Sequence, residues 1–300
     1  MTTSTLNKLK VLVTGRSGQL GASLEKLSVD YPHFSSCFLS RAELDFEDLG
    51  NIPTFLQAHD FDVLVNTAAY TAVDQAELEP SLCDQINHQA VKALAQGVAQ
   101  VGAKMIHISS DYVFGGDAVR PYTEEDRSAP LGVYGQTKRD GEKAVFEALP
   151  TGGMVLRSSW LYSEFGENFV KRILELSGKQ KQIDVVADQR GAPTYAEDLA
   201  RCIFQVIDHP KFQTKGQKTE LFHYSNEGAC SWYEFAKEIC LIAEISCEVR
   251  PVTSSQRPSS TKRPNYSVLD SRKIKAAYGA LTPAWRVSLA QCLENLGMRK

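Results

Sequence analysis

Tyr134 and Lys138, in the run Tyr134-Gly135-Gln136-Thr137-Lys138, are the residues whose types and spacing point to chemistry first. Positions i and i+4 share one helical face, so a phenol and an ammonium can converge on a single site. A free tyrosine has a pKa of ~10, too high for efficient proton exchange at neutral pH. A neighbouring ammonium favours the phenolate and is expected to lower that value. The same ammonium can donate to ribose hydroxyls. Alone, such a pair is near chance frequency. A second element accompanies it: Met105–Ser109 reads as a strand that runs into Ser110. The carboxyl end of a central parallel strand faces a ligand crevice, so the Ser110 hydroxyl can hold a carbonyl against the tyrosine. Side chains alternate, so Ser109 points to the other face.

A third element lies near the N-terminus, in Thr14-Gly15-Arg16-Ser17-Gly18-Gln19-Leu20-Gly21. In a strand-to-helix turn, Gly15 permits the tight turn, Gly18 lets a pyrophosphate approach the backbone, and Gly21 lets the helix pack on the strand. Free N–H groups at the helix start, around Ser17, Gln19 and Leu20, then face the phosphates. The second strand ends in Leu39-Ser40-Arg41, with no acid at its tip to accept a ribose 2′-hydroxyl. Arg41 and Arg16 can instead hold a 2′-phosphate, which favours NADPH, with NADH as the alternative. The competing reading of Arg41 is a solvated loop cation.

These groups need a scaffold, and the first half supplies its rhythm. Lys10–Thr14, Cys37–Ser40, Val63–Asn66 and Met105–Ser109 read as continuously apolar strands, the pattern of parallel strands buried on both faces, and Met154–Arg157 reads as the next strand. Leu20–Leu27, Ile52–Ala58, Ser81–Val101 and Val133–Ala148 read as helices, with Pro80 opening and Gly102 closing the long one. The β-α alternation predicts an α/β fold, a Rossmann-like doubly wound parallel sheet with a smaller C-terminal α/β lobe. Residues 1–160 form the expected NAD(P)-binding domain. Residues 161–300 are expected mainly to bind substrate, with some segments returning to the core sheet. Helices are expected there at Asn168–Leu176, Ala196–Ile207, Trp232–Ala243 and Ser288–Leu296, with polar loops at 213–218 and 254–264.

Bulk properties narrow the function classes. The chain has 300 residues, 43% hydrophobic and 23% charged, with a net charge of −3. That balance argues against nucleic acid. No apolar run approaches the ~18–20 residues of a membrane span, and the start lacks a signal-peptide core, so a cytoplasmic location is expected. The seven cysteines are scattered and read as small buried hydrophobes. No histidine or cysteine spacing predicts a metal site.

With these residues in view, the chain resembles the extended short-chain dehydrogenase/reductase family. The resemblance rests on the glycine loop, the strand-end hydroxyl and Tyr-x-x-x-Lys. Further segments are similar to one branch, the dTDP-4-dehydrorhamnose reductases. They include Asn66-Thr67-Ala68-Ala69-Tyr70-Thr71-Ala72-Val73-Asp74, Ser110-Asp111-Tyr112-Val113-Phe114, Arg157–Tyr162, Gly166–Val170, Asp188–Thr194, Ser231–Ala236 and Arg263–Asp270. The resemblance implies hydride transfer from nicotinamide C4 to C4 of a dTDP-4-dehydro-6-deoxy sugar. Tyr134 would be the general acid, Lys138 would tune it, and Ser110 would polarise the ketone. It further implies that Ala68 and Ala69 touch the cofactor and that Thr71, Val73, Asp111 and Trp160 line the sugar pocket. Asn168 and Arg263 would hold the diphosphate. The plain alternative for Asn168 and Arg263 is loop structure, and for Trp160 it is packing.

Departures and rivals remain in view. Ser110 stands where the branch carries threonine, and Gln75 where a lysine is common. Ser23 occupies the place of an acid that bridges a metal-linked dimer in some relatives, so no metal is carried over. Asp111 is followed by Tyr112 and not by the glutamate of sugar-nucleotide dehydratases. An epimerase shares the Tyr–Lys pair, and the chain also resembles the NADP-binding regulatory β-subunit of methionine adenosyltransferase. The expected assembly is a monomer or homodimer with a small-molecule dTDP-sugar substrate.

Overall fold

The computed structural model describes residues 8–257 and 261–298. The polar N-terminal residues 1–7 and part of the 254–264 loop lie outside them. Five strands come first: β1 (Leu9–Thr14), β2 (Phe34–Leu39), β3 (Val63–Asn66), β4 (Lys104–Ser110) and β5 (Gly153–Ser158). Short strands follow: β6 (Leu161–Tyr162), β7 (Gln182–Val186), β8 (Arg190–Gly191), β9 (Thr194–Tyr195), β10 (Glu220–His223), β11 (Cys230–Ser231) and β12 (Glu248–Val252). The main sheet is parallel throughout, in the order β10-β5-β4-β3-β1-β2. Beyond it, β7 pairs with β12, β6 with β9 and β8 with β11.

The helices in the first half are α1 (Gln19–Leu27), α2 (Asn51–Ala58), α3 (Val73–Ala76), α4 (Pro80–Asp84), α5 (Ala90–Val101) and α6 (Val133–Ala148). The second half carries α7 (Phe169–Lys179), α8 (Ala196–Asp208), α9 (Pro210–Gln213), α10 (Trp232–Ile242), α11 (Arg272–Tyr278) and α12 (Trp285–Asn295). Alternating side chains explain why both sheet faces are covered. Val11, Val13, Val65 and Ile106 pack beneath α1 and α8. Their neighbours Leu12, Leu64, Met105 and Val155 pack beneath α2 and α5. A further core gathers Tyr162, Tyr195, Phe235 and Trp285 between the later helices.

Most expected elements appear within one to three residues, and the differences have local causes. The long helix expected at Ser81–Val101 is interrupted by a π-turn over Gln85–Gln89. There the Asn87 side chain brackets the Tyr70 backbone, accepting from its N–H at 2.9 Å and donating to its carbonyl at 3.0 Å. The helix still starts at Pro80 and ends at Gly102, whose φ of 73° is left-handed. β2 starts at Phe34 and not Cys37, because Phe34 stacks beneath Phe204 of α8. It is an edge strand, so the expectation of burial on both faces fails there: Ser35 and Cys37 are exposed. Cys37 is therefore not a buried hydrophobe, and Cys247 is only half-buried. The last helix starts at Trp285 rather than Ser288, since the Trp285 ring is part of the later core. Among the described residues no helix is long and apolar enough to cross a membrane.

Candidate active site

A cleft of ≈ 820 Å³ opens along the carboxyl ends of β1, β3, β4 and β5. The first of its walls is the glycine loop. Gly15 has φ +79°, and a Cβ there would lie 2.7 Å from the Ala68 amide nitrogen. Only glycine serves at that turn. A Cβ on Gly21 would fall 2.1 Å from the Gly15 carbonyl oxygen, so α1 sits hard against the loop. Gly18 differs, since its Cβ would meet only the Gly15 oxygen, at 3.3 Å. Its bare backbone faces the cleft at the start of α1. The chemistry of this cradle fits a dinucleotide pyrophosphate, through close backbone approach and free helix N–H groups.

The structure brings Gly15, Ser17, Gly18, Gln19, Leu20, Arg41, Ala68 and Ala69 to one wall of this cleft. Gly21 lies behind it. Gln19 also ties the loop to the later part of the chain, accepting from Ser163 Oγ at 3.0 Å. At the far end Arg41 is exposed and ion-paired to Asp45 at 3.3 Å and to Glu47. Any 2′-phosphate there competes with those carboxylates. Arg16 pairs with Glu25 at 2.7 Å and does not line the cleft. Asp45, Phe46 and Ile86 also line the cleft, though nothing in their local spacing marks them.

The opposite wall holds Ser110, Asp111, Tyr134 and Lys138. The α6 helix lies close because Gly135 and Gly141 carry no side chain. A Cβ on either would fall within 2.2 Å of a backbone oxygen, of Tyr112 or of Asn87. Ser110 Oγ donates to Asp111 Oδ1 at 3.1 Å and accepts from the Tyr112 N–H at 3.2 Å. Tyr112 meets the Tyr134 ring edge-on at 5.5 Å. Ser109 also lines the cleft, and its hydroxyl donates to Glu142 of α6 at 2.5 Å.

The electrostatics differ from the expectation in one respect. Burial raises the Tyr134 pKa, the Ser110 hydrogen bond lowers it, and Asp111 raises it again. The net shift is upward and not the expected lowering, because burial outweighs the opposing influences; the Lys138 ammonium itself donates to the Ile108 carbonyl at 2.6 Å. Burial pushes the Lys138 pKa down to about 8, opposed by Glu142. Asp111 is fully buried, its Oδ2 has no hydrogen-bond partner, and burial pushes its pKa up to about 6.

The remaining expected residues reach the same cleft: Thr71, Val73, Trp160, Asn168 and Arg263. Trp160 stacks on Trp232 with centroids 3.4 Å apart and planes 5° apart. Its φ of 47° is left-handed. Such strain costs about 1–3 kcal/mol, more than the about 0.5–1.5 kcal/mol of an aromatic pair beyond its buried area. The balance comes from the ring's seat on Gly191, where a Cβ would lie 2.3 Å from Trp160. Trp232 and Phe169 extend this aromatic wall, a role that nothing in their local spacing marks. Trp232 is placed by a capping box from Ser231 and Glu234, a legible signal for the helix start but silent about the cleft. Asn168 caps α7, and its amide is engaged by Lys171 N–H, at 3.2 Å, and by the Ser163 carbonyl, at 2.8 Å. Arg263 donates to Asp74 at 2.9 Å, while its buried Nε has no partner.

Residues 9–298 match the family described as the RmlD substrate binding domain. A dTDP-4-dehydrorhamnose reductase of Sinorhizobium fredii is 35% identical over 284 residues, covering 93% of this chain and 95% of the relative. The crystal structure of a dTDP-4-dehydrorhamnose reductase from Clostridium acetobutylicum superposes with a TM-score of 0.90 at 36% identity, covering 96% of this chain and 100% of that one. A dTDP-4-dehydrorhamnose reductase from Bacillus anthracis, solved in complex with NADP, gives 0.89 at 35% identity, covering 96% and 99%.

Proposed function

The chain belongs to the RmlD substrate binding domain family, and from that premise we propose that it is an NADPH-dependent reductase of a nucleotide sugar. The substrate is a dTDP-4-dehydro-6-deoxy sugar, dTDP-4-dehydro-L-rhamnose becoming dTDP-L-rhamnose. The observation that carries this reading is the convergence of Tyr134, Lys138 and Ser110 on one cleft with the glycine loop. When bound, NADPH supplies the hydride for the sugar C4.

The protein's own groups do the rest. The glycine loop fixes the pyrophosphate, and Lys138 donates to the ribose and so orients the nicotinamide end. Ser110 hydrogen-bonds the ketone oxygen. Burial keeps the Tyr134 phenol protonated at neutral pH, so it can release its proton to the oxygen as the alkoxide forms. The Lys138 ammonium on the same helical face then stabilises the phenolate left behind. Thr71, Val73, Asp111 and the Trp160 ring line the sugar. Arg263 reaches the diphosphate through charge-assisted bonds, with Asn168 at the same end. The enzyme works in the cytoplasm, as a monomer or homodimer.

Mixing the protein with NADPH and dTDP-4-dehydro-L-rhamnose tests the proposal through absorbance at the nicotinamide band. Loss of NADPH in step with a 4-hydroxy sugar is the expected result. Binding without consumption would overturn the redox assignment and favour a regulatory chain.

Cofactor preference gives a separate test. Arg41→Glu is expected to weaken NADPH by about tenfold, the scale of one charged hydrogen bond at an exposed site, with little change for NADH. Fluorescence titration of both cofactors checks this. Equal losses would remove Arg41 as the phosphate contact.

A further inference from the structure

On the Tyr134–Lys138 face, α6 carries another ionisable side chain at the same spacing. Glu142 lies one turn beyond Lys138 and two beyond Tyr134. Its carboxylate is gripped from two strands. Oε1 accepts from Ser109 Oγ on β4 at 2.5 Å and from Arg157 Nε on β5 at 2.7 Å, and Oε2 accepts from Arg157 Nη2 at 2.6 Å. Arg157 also donates to Ser128 Oγ at 3.1 Å, and its guanidinium lies 4.9 Å over the Phe114 ring. Lys138, Glu142 and Arg157 are only 2%, 3% and 4% exposed. A buried ion pair is weak as a stabilising device, because well-packed apolar residues often do as well or better. Its place beside Lys138 suggests what else it does.

We propose that Glu142 is a positioning residue for the reaction: clamped by Arg157 and Ser109, it fixes the rotation of α6 and sets a negative charge one turn behind the Lys138 ammonium. The proposal rests on the reading of Lys138 as a cation that serves Tyr134 and the cofactor ribose.

The surroundings of Lys138 fix the sign of the effect. Tyr134 and Glu142 share its helix face, Cys83 of α4 and His107 of β4 act on it or feel it, Arg157 of β5 pairs with Glu142, and Asp111 and Tyr112 follow β4. Burial drives Lys138 towards its neutral form, Glu142 opposes this most strongly, and Cys83 adds a smaller opposing effect. Burial and the Lys138 charge hold the His107 pKa well below the imidazole range, so it stays neutral. Asp111 and Tyr112 act on Tyr134 instead. Removing the Glu142 charge therefore lowers the Lys138 pKa. The ammonium is then lost at lower pH, and the alkaline limb of activity moves in the acid direction.

The test is Glu142→Gln, read in two ways. Lysine labelled with 13C at Cε, with the Lys138 signal assigned through Lys138→Met, reports its titration midpoint by NMR. NADPH oxidation from pH 6 to 9 reports the rate profile. Both are expected to move down by about one pH unit, so turnover falls about tenfold on the alkaline side and recovers towards wild type at pH 6. Glu142→Asp, which keeps the charge, restores most of the midpoint. The double variant Glu142→Leu/Arg157→Leu leaves no unpaired guanidinium in the core and should show the same downward shift. An unmoved Lys138 midpoint in either charge-removing variant overturns the proposal, as does a rate loss that is equal at every pH. A shifted midpoint with an unshifted rate profile upholds the Glu142–Lys138 link and overturns the role given to Lys138 in catalysis.

Discussion

Tyr134→Phe is expected to bind NADPH with near wild-type affinity and to lose about 10²–10⁴-fold in turnover, the span of general-acid help. The substitution removes one oxygen and keeps the ring. The edge-on contact with Tyr112 at 5.5 Å survives, so the wall of the cleft keeps its shape. The pyrophosphate cradle lies on the other wall and is untouched. What disappears is the phenolic proton, at the end of β4 beside Ser110. Cofactor titration and steady-state turnover together decide the matter. Near-normal turnover would remove Tyr134 as the acid, and a matching loss of cofactor affinity would recast it as a binding group.

The second large effect concerns two glycines that look equivalent in the sequence. Gly21→Ala is expected to damage fold and binding together. Its new methyl would lie 2.1 Å from the Gly15 oxygen and 2.9 Å from Arg16 Cα, both backbone atoms that cannot swing aside. Overpacking of this kind costs about 1–3 kcal/mol, which lowers Tm by about 2–6 °C in a domain of this size. Backing α1 away from the loop also spreads the phosphate-binding N–H groups. Gly18→Ala should behave differently. Its methyl meets only the Gly15 oxygen, at 3.3 Å, and otherwise projects into open space, which the proposed function gives to the pyrophosphate. Tm without cofactor should stay within about 1 °C of wild type, while NADPH affinity falls by about 10–100-fold, or roughly 1.4–2.7 kcal/mol. Thermal melts with and without NADPH separate the two cases, because a ligand that binds only the native state raises Tm. Loss of stability in Gly18→Ala would contradict the division of labour within the loop.

These glycine roles were legible because each depends on atoms a few residues away: a turn dihedral, a close approach, a helix start. The i, i+4 relation of Tyr134 and Lys138 is equally local, as are the helix ends at Pro80 and Gly102. What the sequence concealed depends on neighbours far along the chain. Lys138 turns to the Ile108 carbonyl because β4 passes beneath α6. Arg41 is held by Asp45 and Glu47, whose placement follows from how the chain leaves an edge strand. The Trp160–Trp232 stack joins residues 72 positions apart, and no periodicity announces it. Even the π-turn at Gln85–Gln89 has a remote companion, the Tyr70 backbone bracketed by Asn87. Local geometry reads directly, whereas partnerships across the sheet require the sheet.

One of those partnerships bears on how the molecule is made. The outer neighbour of β5 is β10, whose last residue, His223, follows the end of β5 at Ser158 by 65 positions. A ribosome adding ~5–20 residues per second therefore needs roughly 3–13 s to supply the missing strand. Throughout that interval the nascent sheet ends in β5, with an unmatched row of N–H and C=O groups, the surface that invites pairing with another chain. Here the late return of one four-residue strand sets the window in which the protein most needs a chaperone.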